Sequence, residues 1–154
     1  AVISSPLQYV NGLNQKRVWD HVTNADHAQV TLTFTDGVQA IFTNSDLAAA
    51  RKPKYFILGT KGSIVGDWDT SAGGSVADHP AKISIHRVDG KVEAIALKSV
   101  KPYTFHESLV ARINEGKEMS VTAEQSRDVV AIMQAAEESA LVNGLPVVPK
   151  LLRS

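Results

Sequence analysis

From Ala28 to Phe34 apolar and polar side chains alternate. Ala28, Val30, Leu32 and Phe34 fall on one side of an extended chain and Gln29, Thr31 and Thr33 on the other, the period-two pattern of a half-buried strand. Asp36-Gly37 follows, a dipeptide whose tolerance of positive φ suits a two-residue hairpin turn, and the chain resumes as a return strand from Val38 to Thr43. The same grammar recurs from Lys82 to Val88, through Asp89-Gly90, into Lys91 to Val100. Between the two hairpins, Lys54–Leu58 and Ser63–Trp68 flank Gly59-Thr60-Lys61-Gly62, which predicts two more strands and a glycine-bounded turn. Leu7 to Leu13 predicts a weaker strand ahead of a polar stretch from Asn14 to Asp26.

After Pro102 the period lengthens to that of a helix. Thr104-Phe105-His106-Glu107 has the form of a capping box, Leu109, Val110 and Ile113 supply an apolar stripe, and Gly116 is a natural stop. Thr122-Ala123-Glu124-Gln125 opens a second, longer helix, for which the pattern predicts an inward face of Val129, Ile132, Met133, Ala136 and Ala140. Gly144 ends it and Pro146 prevents its resumption. Strands first and helices last, joined by hairpin-length links, predict an α+β fold: a largely antiparallel open β-sheet with two C-terminal helices packed on one face. The opposite face, with Gln29, Thr31 and Thr33, is left to water or a partner.

At 154 residues the chain suits one domain, residues 1–154, which buries roughly two-thirds of its unfolded surface. Sixteen basic and sixteen acidic side chains cancel, so no single-sign field draws the chain to nucleic acid or anionic lipid. Cysteine is absent, no apolar run is long enough to cross a bilayer, and the start lacks the form of a signal peptide, which together favour a cytoplasmic protein. A first residue of alanine rather than methionine hints at processing or truncation.

The search for chemistry returns little. No Gly-x-Gly-x-x-Gly is present, and Gly59, Gly62 and Gly66 sit between strands, where glycine serves turns. His21, His27, His79, His86 and His106 form no pair with metal-ligand spacing, and Asp78-His79 need not converge. No Gly-x-Ser-x-Gly elbow exists. Thr70 to His79, with Gly73-Gly74, predicts a loop. Two polar groups stand out. Arg51-Lys52-Pro53-Lys54-Tyr55, with Lys61, is a basic cluster that could grip a phosphate or sugar acid or simply face water. Asn44-Ser45-Asp46 closes a strand, where such residues either bind a ligand or cap a turn.

Several segments together resemble one family. Asp26 to Phe34 followed by Asp36-Gly37, then Lys52 to Ile64 with Gly59-Thr60-Lys61-Gly62, then Phe105 to Pro149 with Gly116, Val121 to Glu124, Ala135-Ala136, Ser139-Ala140, Gly144 and Pro146, resemble the carboxy-terminal domains of Gfo/Idh/MocA oxidoreductases. The resemblance implies a C-terminal domain like that of glyceraldehyde-3-phosphate dehydrogenase, whose open sheet face pairs with a twin in a homodimer or higher homo-oligomer. It also implies an amino-terminal Rossmann domain, absent from this chain, that binds NAD or NADP in a parent enzyme acting on a sugar, polyol or related carbinol. The family's Glu-Lys-Pro motif is not here: Lys52-Pro53 and Lys101-Pro102 follow Arg51 and Val100. No aspartate is followed four residues later by histidine. No catalytic, cofactor-binding or metal residue is therefore carried over, and the chain alone is expected to bind no nicotinamide cofactor and to be no enzyme. Asn44, Ser45, Asp46, Arg51 and Lys52 are the candidates for the substrate rim in the full-length protein.

A different class of answer is a stand-alone ligand-binding or assembly module with the same fold. A nucleic-acid contact through the hairpin from Arg51 to Lys61 is opposed by the zero net charge.

Overall fold

The computed structural model describes residues 5–18, 24–50, 52–68, 81–97 and 104–152. Among these, strands precede helices throughout: β1 (Leu7–Gln15), β2 (His27–Phe34), β3 (Gln39–Ser45), β4 (Tyr55–Gly59), β5 (Gly62–Trp68), β6 (Ala81–Arg87), β7 (Val92–Ile95), α1 (Thr104–Glu115) and α2 (Ala123–Leu141). Every ladder is antiparallel, and the α+β class stands. The strands fall into two sheets, β1-β2-β3 and β4-β5-β6-β7, rather than one. The chain divides accordingly into two compact units, one chiefly residues 49–102, the other residues 2–48 and 103–154.

The β2-β3 and β6-β7 hairpins use the same turn, and it is longer than the sequence predicts. Phe34 N–H donates to Val38 O at 3.0 Å and Gly37 N–H to Phe34 O at 2.9 Å, so the loop is Thr35-Asp36-Gly37. Arg87 N–H to Lys91 O at 2.9 Å and Gly90 N–H to Arg87 O at 3.0 Å give Val88-Asp89-Gly90 the same form. The two-residue turn that Asp-Gly favours, type I′, needs positive φ at both central residues. Here only the glycines supply it, Gly37 at 83° and Gly90 at 84°. Each aspartate instead accepts a hydrogen bond from the N–H two residues on, Val38 and Lys91, both at 3.1 Å. That side-chain bond stabilises an ordinary type I turn and leaves the glycine to absorb the extra residue as a bulge.

In the larger unit, α2 packs on β1 and forms the core. Val10, Ala135 and Ala136 are buried, with Leu7, Val30, Leu32, Ile132 and Val147 packed around them. The register sets Val10 opposite Leu32 and Gly12 opposite Val30, so these four positions share the face that α2 covers. The buried face of α2 is Ala135, Ala136 and Ser139, beside a half-buried Ile132. Val129 and Met133, expected inside, are 57% and 66% exposed. The cause lies at Gly12, where a Cβ would run into the Ala136 carbonyl. The helix approaches the strand so closely that only alanine and serine fit between them, and the larger side chains rotate outward. The predicted capping box is present: Gln125 N–H donates to Thr122 Oγ1 at 3.2 Å and Thr122 N–H to Gln125 Oε1 at 2.9 Å. Helix α1 ends as predicted, with Gly116 at φ 70°, and buries no residue.

Beyond α2 the chain turns through Asn143 and Gly144, at φ 59° and 79°, and returns along the outer edge of β1. Val10 and Val147 exchange backbone hydrogen bonds at 2.8 and 2.9 Å. Residues Leu7 to Leu13, read as a weak strand, thus hold the centre of the unit, with a partner on either side.

The smaller unit is built differently. All five residues of β4 are exposed. Tyr55 lies opposite Gly66 and covers it, so that a Cβ on Gly66 would meet the Tyr55 ring at 2.9 Å. Tyr55, Ile57, Ile64, Ile83, Ile85 and Ile95 share one face by register. Gly62, at φ 144°, follows the two-residue link Thr60-Lys61, and a side chain there would strike the His86 carbonyl.

Candidate functional site

Asn44, Ser45 and Asp46 lie at the end of β3, where the register pairs Asn44 with Ala28 and Ser45 with His27. Asn44 and Asp46 are exposed and Ser45 is half-buried. Ser45 Oγ accepts from Leu47 N–H at 3.3 Å, the local turn bond available to a serine at a strand end. Asp46 N–H donates to the carbonyl of Asp26 at 2.9 Å. Asp26 is the buried residue of this corner. Its Oδ2 accepts from Arg17 N–H at 2.6 Å and Val18 N–H at 2.7 Å, while its own N–H reaches Gln15 O at 2.9 Å. A carboxylate gripping two backbone amides fixes the exit of β1 beside the end of β3. The sequence offers Asp26 only as the acidic start of a hairpin, and its burial becomes legible only when three segments meet.

Of the five rim candidates, four fall among the described residues. Arg51 lies outside them, as do the predicted loop from Thr70 to His79 and the histidines His21 and His79. Lys52 is exposed ahead of β4 and belongs to the smaller unit, whereas Asn44 to Asp46 belong to the larger.

No group of three or more potential metal ligands occurs among the described residues. His86 contacts Ser84 Oγ at 3.0 Å on the surface of β6, and His106 sits edge-on to Phe105, at 5.7 Å between ring centres. The glycines do not fit a nicotinamide cofactor either. Gly59, Gly62 and Gly66 serve the β4-β5 turn, the approach of β6 and the Tyr55 contact, and among the described residues the next element is the strand β6 rather than a helix. A shallow groove runs along α2 between Arg127, Val130, Gln134 and Glu138 on one side and Val148 and Lys150 on the other. Arg127 there donates to the Lys150 carbonyl at 2.6 Å, which ties the last segment to the helix. Among the described residues, no helix is long and apolar enough to cross a membrane.

Asp36 and Asp89, in the two hairpin turns, both have carboxyls held below the usual range. The side chain of Lys91, with Nζ 2.9 Å from Asp89 Oδ2, and then its backbone N–H hold the Asp89 carboxyl below the usual carboxylate range. Both side chains of this pair are solvent-exposed.

Among the described residues the architecture is thus α+β, antiparallel strands followed by two helices. Residues 2–65 match the profile of the GFO/IDH/MocA C-terminal domain, which bears out the resemblance read from the sequence. No curated protein matches the chain in sequence. Solved structures match its fold. The yvaA protein of Bacillus subtilis, classed as an oxidoreductase, superposes with a TM-score of 0.74 at 23% identity, over 96% of this chain and 46% of its own. A protein of the same class from Klebsiella pneumoniae gives 0.76 at 19%, over 97% and 45%. One from Desulfitobacterium hafniense, described as NADPH-dependent, gives 0.73 at 22%, over 92% and 42%. The chain spans less than half the length of these structures.

Proposed function

We propose that this chain is the substrate-side and oligomerisation domain of an NAD(P)-dependent oxidoreductase acting on a sugar, a polyol or a related carbinol, and that it is inactive by itself. The observation that carries this reading is a ratio of lengths. Nearly the whole of this chain corresponds to less than half of proteins classed as oxidoreductases. The NADPH-dependent relative, and an Agrobacterium radiobacter oxidoreductase solved with NAD+, L-tartaric acid and magnesium, support NAD or NADP for the parent. The cofactor would sit in the other half. In the parent, Asn44, Ser45, Asp46, Arg51 and Lys52 are the proposed pocket rim, and the setting is cytoplasmic.

The twin subunit in this reading sits on the open sheet face. Besides the face of Gln29, Thr31 and Thr33, the row of Ile57, Ile64, Ile83 and Ile85 in the smaller unit is a second seat for it, because apolar side chains gathered on one face of a sheet suit another protein. Light scattering is expected to give a mass above that of one chain, and Ile85→Asp to return it to the monomer.

The deciding experiment is a fluorescence titration with NADH. The chain alone is expected to show no saturable binding, whereas the product of its coding sequence joined to the upstream frame binds NADH and transfers hydride. Saturable binding by the chain alone, or an upstream frame without a Gly-x-Gly-x-x-Gly fingerprint, overturns the proposal. Kinetics unchanged by Arg51→Ala for every accepted substrate would remove Arg51 from the rim.

A further inference from the structure

Asparagine followed by glycine occurs twice, at Asn11-Gly12 and at Asn143-Gly144. Such a pair is chemically fragile, because glycine has no side chain to hinder attack by its backbone nitrogen on the asparagine side chain. Both pairs converge on one residue, Ser139. Its Oγ accepts from Gly12 N–H at 2.9 Å, its carbonyl accepts from Gly144 N–H at 2.8 Å, and its hydroxyl donates to Leu145 O at 2.6 Å. Asn11 Nδ2 donates to Gly144 O at 2.8 Å, closing the link between the two pairs. Ser139 is fully buried.

The two pairs are nevertheless guarded unequally. Asn11 is half-buried in β1, paired with Thr31, and Gly12 is buried beneath α2. Ring closure requires the asparagine ψ to leave its strand value, so Asn11 reacts only after β1 separates from β2 and α2 together. Asn143 is exposed, one residue past the C-cap Val142, in a left-handed turn that follows the last helical residue. Helix ends and exposed turns open at a small fraction of the cost of the core. Only the Ser139 carbonyl bond restrains the Gly144 nitrogen.

We propose that Asn143 is a site of spontaneous deamidation in the folded chain, and that Asn11, with the same sequence, is spared by its place in the core. When the turn opens, the Gly144 nitrogen gives its proton to water or hydroxide and attacks Cγ of Asn143. A new C–N bond forms, the Cγ–Nδ2 bond breaks and ammonia leaves. Water then opens the succinimide at either carbonyl, giving aspartate or isoaspartate. Either product puts a negative charge at the C-terminal end of α2, where the helix dipole is already negative and the last turn holds no basic residue. Isoaspartate also lengthens the backbone immediately before Leu145 and Val147, which tie the last segment to Ser139 and to Val10. The modification therefore loosens the edge of β1.

The test is incubation of the folded chain at mildly alkaline pH, followed by tryptic mapping. Residues 128–150 form one peptide, in which Asn143 is the only asparagine, and residues 1–16 carry Asn11. The acid form and its isoaspartyl isomer are expected to accumulate in the first peptide at least about tenfold faster than at Asn11, reflecting the unequal opening of core and turn. In strong denaturant the two sites convert at comparable rates, and Asn143→Gln abolishes the change in the first peptide. Equal rates at the two sites in the folded chain overturn the proposal. So does an Asn143 that stays intact while the denatured chain converts it.

Discussion

The β2-β3 and β6-β7 hairpins close on the same three-residue turn, yet the sheets that contain them bury very different amounts of themselves. In the first sheet β1 is sandwiched between β2 and the returning C-terminal segment, and α2 presses alanine and serine onto its glycine. In the second, β4 keeps every side chain exposed, and its tyrosine lies over a glycine of β5. Turn chemistry is local and decides where a hairpin forms. Burial depends on whether another element can come close enough, and that is set by the smallest residues present.

The comparison is sharpest at its two glycines. Gly12→Ala forces a methyl into the Ala136 carbonyl, which must displace helix or strand, and is expected to cost about 2 to 4 kcal/mol in denaturant unfolding. Gly66→Ala meets a half-exposed Tyr55 that can swing away, and is expected to stay within about 1 kcal/mol. Equal losses would show that the second sheet is packed as tightly as the first.

Much of this was legible beforehand, and the failures share a cause. The alternation from Ala28 to Phe34, both Asp-Gly turns, the Thr122 box and the Gly116 stop are local signals, and each marks its element correctly. The inward face of α2 departs from the pattern, which ranks Val129 and Met133 above Ala135 and Ser139. That ranking holds only where there is room for a large side chain, and Gly12, far off in sequence, removes the room. The candidate site was the least legible part. Asn44, Ser45 and Asp46 do end a strand, but the residue that organises their corner is Asp26, whose bonds to Arg17 and Val18 leave no periodic trace.

A second prediction probes the tight side alone. Ser139→Ala removes the hydroxyl that serves both Gly12 and Leu145, leaving a buried N–H without its acceptor, and is expected to destabilise by about 1 to 3 kcal/mol. Amide exchange at Gly12 is the specific readout. Unchanged protection there would mean that a water molecule replaces the hydroxyl.

The smallest effect belongs to the open side. Asp89 is held ionised by the Lys91 side chain and N–H, so its carboxyl is depressed in the folded hairpin. A depressed acid stabilises the fold above its unfolded titration and ceases to do so as the pH falls through its folded value. The β6-β7 turn should therefore loosen only below the usual carboxylate range, slightly, and less at high salt because the pair is solvated. Exchange of the Lys91 amide against pH measures this, and Asp89→Asn should flatten the profile. A profile that survives the substitution assigns the titration to another group.

The return of the last segment to β1 also bears on the order of assembly. The bond from Asn11 to Gly144 spans 133 positions and that from Gly12 to Ser139 spans 127, whereas the strands from Tyr55 to Ile95 pair only with their neighbours in sequence. During synthesis the second sheet can zip up as soon as it emerges, while β1 waits until Val147 has been made for its outer mate. A ribosome that stalls just short of Val147 releases a strand with a bare edge, and that edge is where a chaperone, or an aggregate, would take hold.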